Sequence, residues 1–454
     1  MTQEHHVRKQ LFGSGIRGIM PVSSHIRSAG SLMPHVLPPA FNKLAWSNLA
    51  AQSAEQLSLA AVPIVAVMLL GAGAGDIGFL ATVQTLPFLL LSIPLGLVAD
   101  RSSRRRLMVG SELVRTLAFA GLLAAVLTSK LSLPVLWLLG FTGALGTVGF
   151  SVAAPALVPS LVPVQQLGAA NARLELARSV AYAGGPALAG ALVAWAGASF
   201  AFVLAAALSA SAVVLLLRLP EPQRAASPTR RPMQELADGA RLVWHDPMLR
   251  PIMLTTIVWN ISWFILQAVY VPYAVRTLGL SASTVGITLA CYGVGMVLGA
   301  LLAKRVVAAL PFGKAILVGP AVSVLAALAM VMSLFTTMPT SGAIFAALSF
   351  FLFGAGPILW TITSVTLRQT LTPGMMLGRV SAIFLTVGFG ARPIGAAVGG
   401  IVGSHWGEAA CLVLALAGFV LQAAFIFSSR VRGLKVLPPQ VTAVAAAAEV
   451  AVSS

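Results

Sequence analysis

Glu55 lies about eleven residues into the apolar run "LAWSNLAAQSAEQLSLAAVPIVAVMLL", and no other charged residue falls between Leu44 and Leu70. If that run crosses a lipid bilayer, a charge near its centre costs roughly 2.5–3.5 kcal/mol, which marks the residue as a functional candidate. An acid in such a setting can take a proton from one side and release it to the other. Asn48, Gln52 and Glu55 follow i, i+4, i+7 spacing and therefore share one helical face. The competing reading is a protonated acid hydrogen-bonded inside a bundle, and the residues leave both open.

Arg392 is the other isolated charge. It sits deep in an apolar run just before Pro393, whose missing N–H frees a backbone carbonyl and can distort the helix. We expect it to face a central cavity and to pair with Glu55 or with an anionic group of a ligand. Two E-L-x-R sequences, Glu112/Arg115 and Glu175/Arg178, have i, i+3 spacing that permits internal pairing. Such pairs neutralise each other, so gating or structure is expected of them rather than ligand contact. In "IVWNISWFILQAVYVPY", Trp259, Trp263, Gln267 and Tyr270 fall on one stripe. Aromatics with a few polar groups suit an amphipathic small molecule, and packing against neighbouring helices explains the same stripe equally well.

These residues need elements to hold them, and composition says which. Of 454 residues, 58% are hydrophobic and only 9% charged, far outside the range of soluble domains. A helix of about 20 apolar residues matches the ~30 Å hydrocarbon core. The apolar segments run continuously instead of alternating in polarity, which favours helices over a barrel. We read about twelve spans: Leu44–Leu70, Ile77–Val98, Leu107–Leu127, Pro134–Val162, Ala170–Trp195, Phe200–Leu217, then Pro251–Leu278, Thr284–Val307, Ala315–Phe335, Ser341–Leu367, Gly378–Val402 and Ala409–Phe427. With both ends cytoplasmic, the arginines at 101, 104, 105, 106, 218, 224, 230, 231, 241, 250, 305, 368 and 379 and the lysines at 304 and 314 are inside, while Lys130 and Arg276 are outside. The positive-inside rule is then obeyed.

The net charge of +17 is dealt out in small groups between apolar spans, which argues against a nucleic-acid surface. Cys291 and Cys411 lie in apolar runs and suggest neither a disulfide framework nor a metal site. The six histidines fall in tails, loops or span ends, and no G-x-x-x-x-G-K-[ST] stretch occurs, so neither mid-membrane catalysis nor ATP hydrolysis is suggested. No cofactor is expected. Residues 1–43 read as a cytoplasmic tail without a signal-peptide pattern, 44–217 as a six-helix bundle, 218–250 as a basic, Pro-rich linker, 251–429 as a second six-helix bundle and 430–454 as a second tail. Within the linker, Pro232 can open a short helix with Met233, Leu236, Ala240 and Val243 on one face, suited to the membrane surface or to solvent.

The two halves resemble each other. "LVPVQQLG" at 161–168 aligns with "LTPGMMLG" at 371–378; each leads into a Gly/Pro-containing helix, "GGPALAG" and "ARPIGAAVGG", and then into "WAG" and "HWG". Internal symmetry of six-helix halves points to a secondary transporter with a site between them near mid-membrane.

One charged stretch carries a family resemblance. "GLVADRSSRRRLMVG" resembles the signature loop of the major facilitator superfamily, roughly G-x-x-x-D-R-x-G-R-R, with Gly96, Asp100, Arg101, Arg104 and Arg105 matching and Ser103 where the family places a turn glycine. Over about Leu44–Phe427 the chain is similar to the drug and siderophore efflux branch that includes macrolide and enterobactin exporters, most visibly in "LVPVQQLGAANARLELARSVAYAGGPALAGALV" and "LTPGMMLGRVSAIF". "GGPALAG", with Gly185 and Pro186, resembles the gating Gly-Pro motif of drug/proton antiporters, with Ala189 replacing a usual glycine. The fourth span has no charge and so lacks the arginine motif of many antiporters. The resemblance implies the all-α major facilitator fold, and a latch in which Asp100 meets the N-terminal end of the helix starting near Gly378. It further implies a transporter of the bacterial inner membrane, a monomer exporting amphipathic molecules by alternating access and proton antiport. A proton-coupled nutrient importer and a membrane-embedded enzyme are the alternatives.

Overall fold

The computed structural model describes residues 37–163, 166–220, 232–373 and 376–438, which form helices and short connections with no strand among the described residues. The first half contains α1 (Pro39–Leu70), α2 (Ala74–Arg101), α3 (Arg104–Leu127), α4 (Leu133–Leu157), α5 (Leu167–Trp195) and α6 (Ala198–Leu217). After α7 (Pro232–His245), the second half contains α8 (Leu249–Pro272), α9 (Ala282–Ala309), α10 (Phe312–Met332), α11 (Pro339–Leu371) and α12 (Leu377–Phe427). Ten of these helices are long and apolar enough to cross a bilayer. α5 adds a crossing: Arg173, Glu175 and Arg178 lower its hydropathy without shortening its 29 residues. α12 supplies two, because Gly407 interrupts its 51 residues with φ 80°. The result is twelve crossings in two groups of six. Aliphatic side chains such as Leu117, Leu138, Leu301 and Ile344 are exposed on the outer faces of the helices, where lipid rather than water is the compatible solvent.

The internal repeat is visible in backbone torsions. Gly197, between α5 and α6, has φ 85° and ψ 169°, and Gly407 has φ 80° and ψ 169°. Both occupy a region that L-residues avoid, so the WAG and HWG glycines make the same break in the same place. Upstream, the amides of Gln166 and Met376 donate to the carbonyls of Pro163 and Pro373 at 2.9 and 2.8 Å, one residue before α5 and α12 begin.

The end of the bundle carrying α7 is the linker side, and the opposite end the far side. On the far side a single buried apolar cluster spans both halves, joining Leu57, Ile64 and Phe202 to Tyr270, Phe350 and Phe419. On the linker side the halves keep separate clusters, one around Phe41, Met108 and Leu216 and the other around Ile316, Leu367 and Val380. The far-side seam rests on two glycine crossings. A Cβ on Gly78 of α2 would lie 2.2 Å from Gly400 Cα in α12, and one on Gly190 of α5 would lie 2.9 Å from Gly286 Cα in α9. The Arg276 guanidinium, from the second half, donates to the carbonyls of Gly71 and Ala72 at the end of α1. Those carbonyls lack helical partners and carry the negative end of the helix dipole, so a cation satisfies both needs.

One expectation for local structure needs correction. α7 does not present its Ala240/Val243 face to lipid or solvent: Val243 is fully buried against Leu249, Ile252 and Val380, and Ala240 packs on the same cluster. Asp238 meets Arg379 at 3.1 Å, and a Cβ on Gly239 would fall 2.9 Å from the Arg379 backbone, so the helix docks onto the second half. The side chains of Met233 and Leu236 lie outside the described residues. At Pro393, where the sequence allows the helix to be distorted, the torsions stay helical, and Gly407 is the residue in α12 with non-helical torsions.

Candidate functional site

A cavity of about 340 Å³ lies between the halves, walled by residues of α1, α2, α3, α4, α5, α8, α9, α11 and α12. Glu55, Arg392, Trp259, Trp263, Gln267 and Pro186 all line it, so residues from four separate stretches of sequence meet at one place. Asn48, Gln52 and Tyr270 do not line it. The α1 segment that reaches the wall begins at Glu55, and the same helical face nearer the linker side is packed instead, with Asn48 buried. Tyr270 is fully buried, its hydroxyl bonded to the Thr288 hydroxyl across the α8–α9 contact and its ring edge-on to Phe350.

Glu55 pairs with Arg115 and not with Arg392, one of the two partners expected for that arginine. Arg115 Nη1 stands 3.5 Å from Glu55 Oε2, while Arg115 Nη2 bonds Glu112 Oε1 at 2.6 Å. Arg115 also lines the cavity, whereas its partner Glu112 does not. Glu112 and Arg115 are 0% and 1% exposed, so each charge must be met internally. They are: Arg115 donates to the Ala51 carbonyl at 2.9 Å and to Thr147 Oγ1 at 3.4 Å, and the Ser209 hydroxyl donates to Glu112 Oε2 at 2.8 Å. α1, α3 and α4 thus converge on one guanidinium, α6 holds its partner Glu112, and the Glu55 carboxylate, 19% exposed, is the more open of the two acids. Gly185 permits this geometry nearby: a Cβ there would lie 2.6 Å from Gln56 Cβ, so α5 packs directly on α1 beside Glu55.

Arg392 is held differently. Its guanidinium carbon lies 4.4, 5.6 and 5.8 Å from the ring centroids of Phe389, Phe264 and Phe88, and its Nε makes no hydrogen bond. Among the described residues it has no ion pair. The aromatic wall continues through Trp259 and Trp263, stacked at 5.6 Å and 14°, and through Tyr292, which meets both Trp263 and Tyr182. Glu175 and Arg178 pair with each other on the linker-side approach, half exposed, with Arg178 one turn before Tyr182 and 6.0 Å from its ring. Sequence reasoning missed the phenylalanine cage and the Thr147 and Ser209 anchors. Phe389 at i−3 from Arg392 was a legible cue; Ser209 is one of three serines in a largely apolar helix, with nothing in the sequence to set it apart from Ser199 and Ser211.

In the signature loop, Ser103 adopts φ −62° and caps α3 through a bond from the Arg106 amide at 3.2 Å, so no left-handed residue is needed where a glycine was expected. Arg105 donates to the Leu219 carbonyl at 2.8 Å, tying the start of α3 to the end of the first bundle, and Arg104 opens α3. Gly96 falls within α2, and the side chains of Asp100 and Arg101 lie outside the described residues, as does any latch from Asp100 towards Gly378. No cluster of His, Cys, Asp or Glu suited to a metal occurs among the described residues.

Comparison with known proteins agrees with this architecture. The family model described as Major Facilitator Superfamily matches residues 44–396. An uncharacterized MFS-type transporter, y4rN, of Sinorhizobium fredii (strain NBRC 101917 / NGR234) is 30% identical over 314 residues, 68% of this chain and 72% of the relative. The enterobactin exporter EntS of Shigella dysenteriae serotype 1 (strain Sd197) is 27% identical over 354 residues, 77% and 82% of the two chains. Among solved structures, the nucleoside transporter NupG superposes with a TM-score of 0.69 at 14% identity, over 86% of this chain and 100% of that one. A bacterial homologue of the human lysosomal transporter Spinster, inward-facing and unoccupied, gives 0.65 at 16% identity, over 86% and 96%. With twelve crossings in two repeated halves around a central cavity, and a family match over most of its length, the chain belongs to the Major Facilitator Superfamily of membrane transporters.

Proposed function

We propose that the protein exports amphipathic small molecules, drug-, macrolide- or siderophore-like, across the bacterial inner membrane by alternating access coupled to proton entry. The observation that carries the reading is the cavity wall itself, where an aromatic surface lies beside a carboxylate that shares one guanidinium with a second, fully buried carboxylate. Aromatic and apolar walls with few polar groups suit amphipathic cargo. In this reading Glu55 changes its protonation between the two mouths, because of the two carboxylates in the cluster it is the one that lines the cavity. Similarity to the EntS exporter supports the outward direction. With the linker side in the cytoplasm, the separate linker-side clusters and the continuous far-side cluster correspond to a state open inward. Proton entry supplies about 2.3 kcal/mol per 100 mV for each charge moved, so a cycle needs no ATP.

The test uses everted membrane vesicles from cells expressing the protein. An imposed inward-acidic pH gradient drives accumulation of a fluorescent amphipathic dye by wild type, and Glu55→Gln abolishes gradient-driven accumulation at equal expression. Dye accumulation by Glu55→Gln at the wild-type rate sinks the proton role. Accumulation only in right-side-out vesicles reverses the direction.

A further inference from the structure

The charges around the cavity do not cancel locally. Arg115 serves two carboxylates, Glu112 at 2.6 Å and Glu55 at 3.5 Å, so the first half keeps one negative charge in excess whenever Glu55 is ionised. On the second half, Arg392 lines the same cavity with no ion pair among the described residues and an Nε without a hydrogen bond. Three phenylalanine rings contact its guanidinium, but rings offer it no lone pairs. The site is neutral overall and polarised, with an excess acid on α1 and an excess base on α12.

Resting on the reading of this cavity as the substrate site, we propose that its substrate is a dipolar amphipath, with a cationic group received at Glu55 and a carboxylate or similar anion received at Arg392. A neutral molecule filling the cavity removes water from both excess charges and returns nothing. A singly charged molecule pairs with one and leaves the other desolvated, while adding its own net charge to a low-dielectric space. A zwitterion meets both. Its anion finds a planar guanidinium whose donors suit a carboxylate, and its cation finds a carboxylate beside aromatic faces, which also attract cations. The arrangement accounts for exchange as well: an ammonium group and a proton compete for Glu55, so release of one accompanies binding of the other.

The experiment is calorimetric binding to the purified full-length protein in detergent at neutral pH, with two matched sets of probes. One is ciprofloxacin, its ethyl ester and its N-acetyl derivative; the other is diphenylalanine, its amide and its N-acetyl derivative. In each set the zwitterion binds more tightly than both singly charged relatives by about tenfold to a hundredfold, the size of one lost charge-assisted hydrogen bond. Arg392→Gln removes the difference between zwitterion and ester or amide, Arg392→Lys restores part of it, and Glu55→Gln removes the difference between zwitterion and N-acetyl compound. Equal binding within the wild-type sets, or binding by none of the probes at millimolar concentration, overturns the proposal. Flux separates it from the export reading: the predicted preference without gradient-driven export removes only the latter, and export without the preference removes only the former.

Discussion

Arg115 is the side chain on which most of the first half's polar structure depends. It is among the largest fully buried side chains, and it neutralises Glu112 while partnering Glu55. Removing one member of a buried ion pair typically costs about 3–5 kcal/mol, because the remaining charge is left without compensation. Arg115→Leu is therefore expected to lower the melting temperature in detergent sharply and to reduce the folded yield. Glu112→Gln combined with Arg115→Leu recovers much of that loss, since the double variant strands no charge beside Ser209. A double variant no more stable than Arg115→Leu alone would place the cost in packing. The location of this chemistry was legible in sequence because a charge inside an apolar run is conspicuous: Glu55 and Arg392 both reached the cavity. Their partners were not legible. Whether Glu55 meets Arg115 or Arg392 depends on how α1 is rotated against α3 and α12, and helix rotation is set by packing between segments far apart in the chain.

At the scale of elements, α7 shows why an amphipathic pattern identifies a helix without identifying its neighbour. Pro232 starts it as its sequence suggests, and an apolar face is present, yet that face buries Val243 against the second half instead of lipid. What selects protein over membrane is the close approach at Gly239, where α7 meets the Arg379 backbone. The Asp238–Arg379 ion pair is 46% and 33% exposed, and such pairs contribute about 0–1 kcal/mol. We expect Asp238→Ala to leave α7 docked, and Gly239→Leu to displace it because the backbone at Arg379 cannot yield. Proteolysis of inside-out vesicles reads the difference: the linker is cut faster in Gly239→Leu and at the wild-type rate in Asp238→Ala. Equal cutting in both would show that the glycine contact is incidental. The same limit of sequence applies to α12, where the glycine of HWG was visible as half of a repeat, and its torsions identify it as the break that Pro393 does not make.

For the whole molecule, the two glycine crossings are related by the symmetry of the halves. Gly78 and Gly286 each lie about one turn into α2 and α9, and Gly400 and Gly190 occupy matching places late in the first segment of α12 and in α5. α2 against α12 and α9 against α5 are therefore one contact made twice, and both halves close the far side through it. Glycine at these points lets backbones approach nearer than any side chain permits. A transporter must also leave this state, so the closed far side has to be held by an amount comparable with the few kcal/mol that separate alternating conformations. Arg276 adds to that hold through its two carbonyl partners, each bond contributing about 1 kcal/mol net. Gly78→Leu and Gly286→Leu are expected to open the far side to similar degrees, because the contacts are equivalent, and Arg276→Gln to do so more weakly. A single cysteine replacing Ser58 on the cavity wall, in a background with Cys291 and Cys411 changed to alanine, reports this through labelling by an impermeant thiol reagent added on the far side. Labelling rises in all three variants if the seam is the gate. Labelling that rises with Gly78→Leu but not with Gly286→Leu would mean that the halves, though built alike, do not move alike, and that opening occurs by bending one half rather than by rocking both.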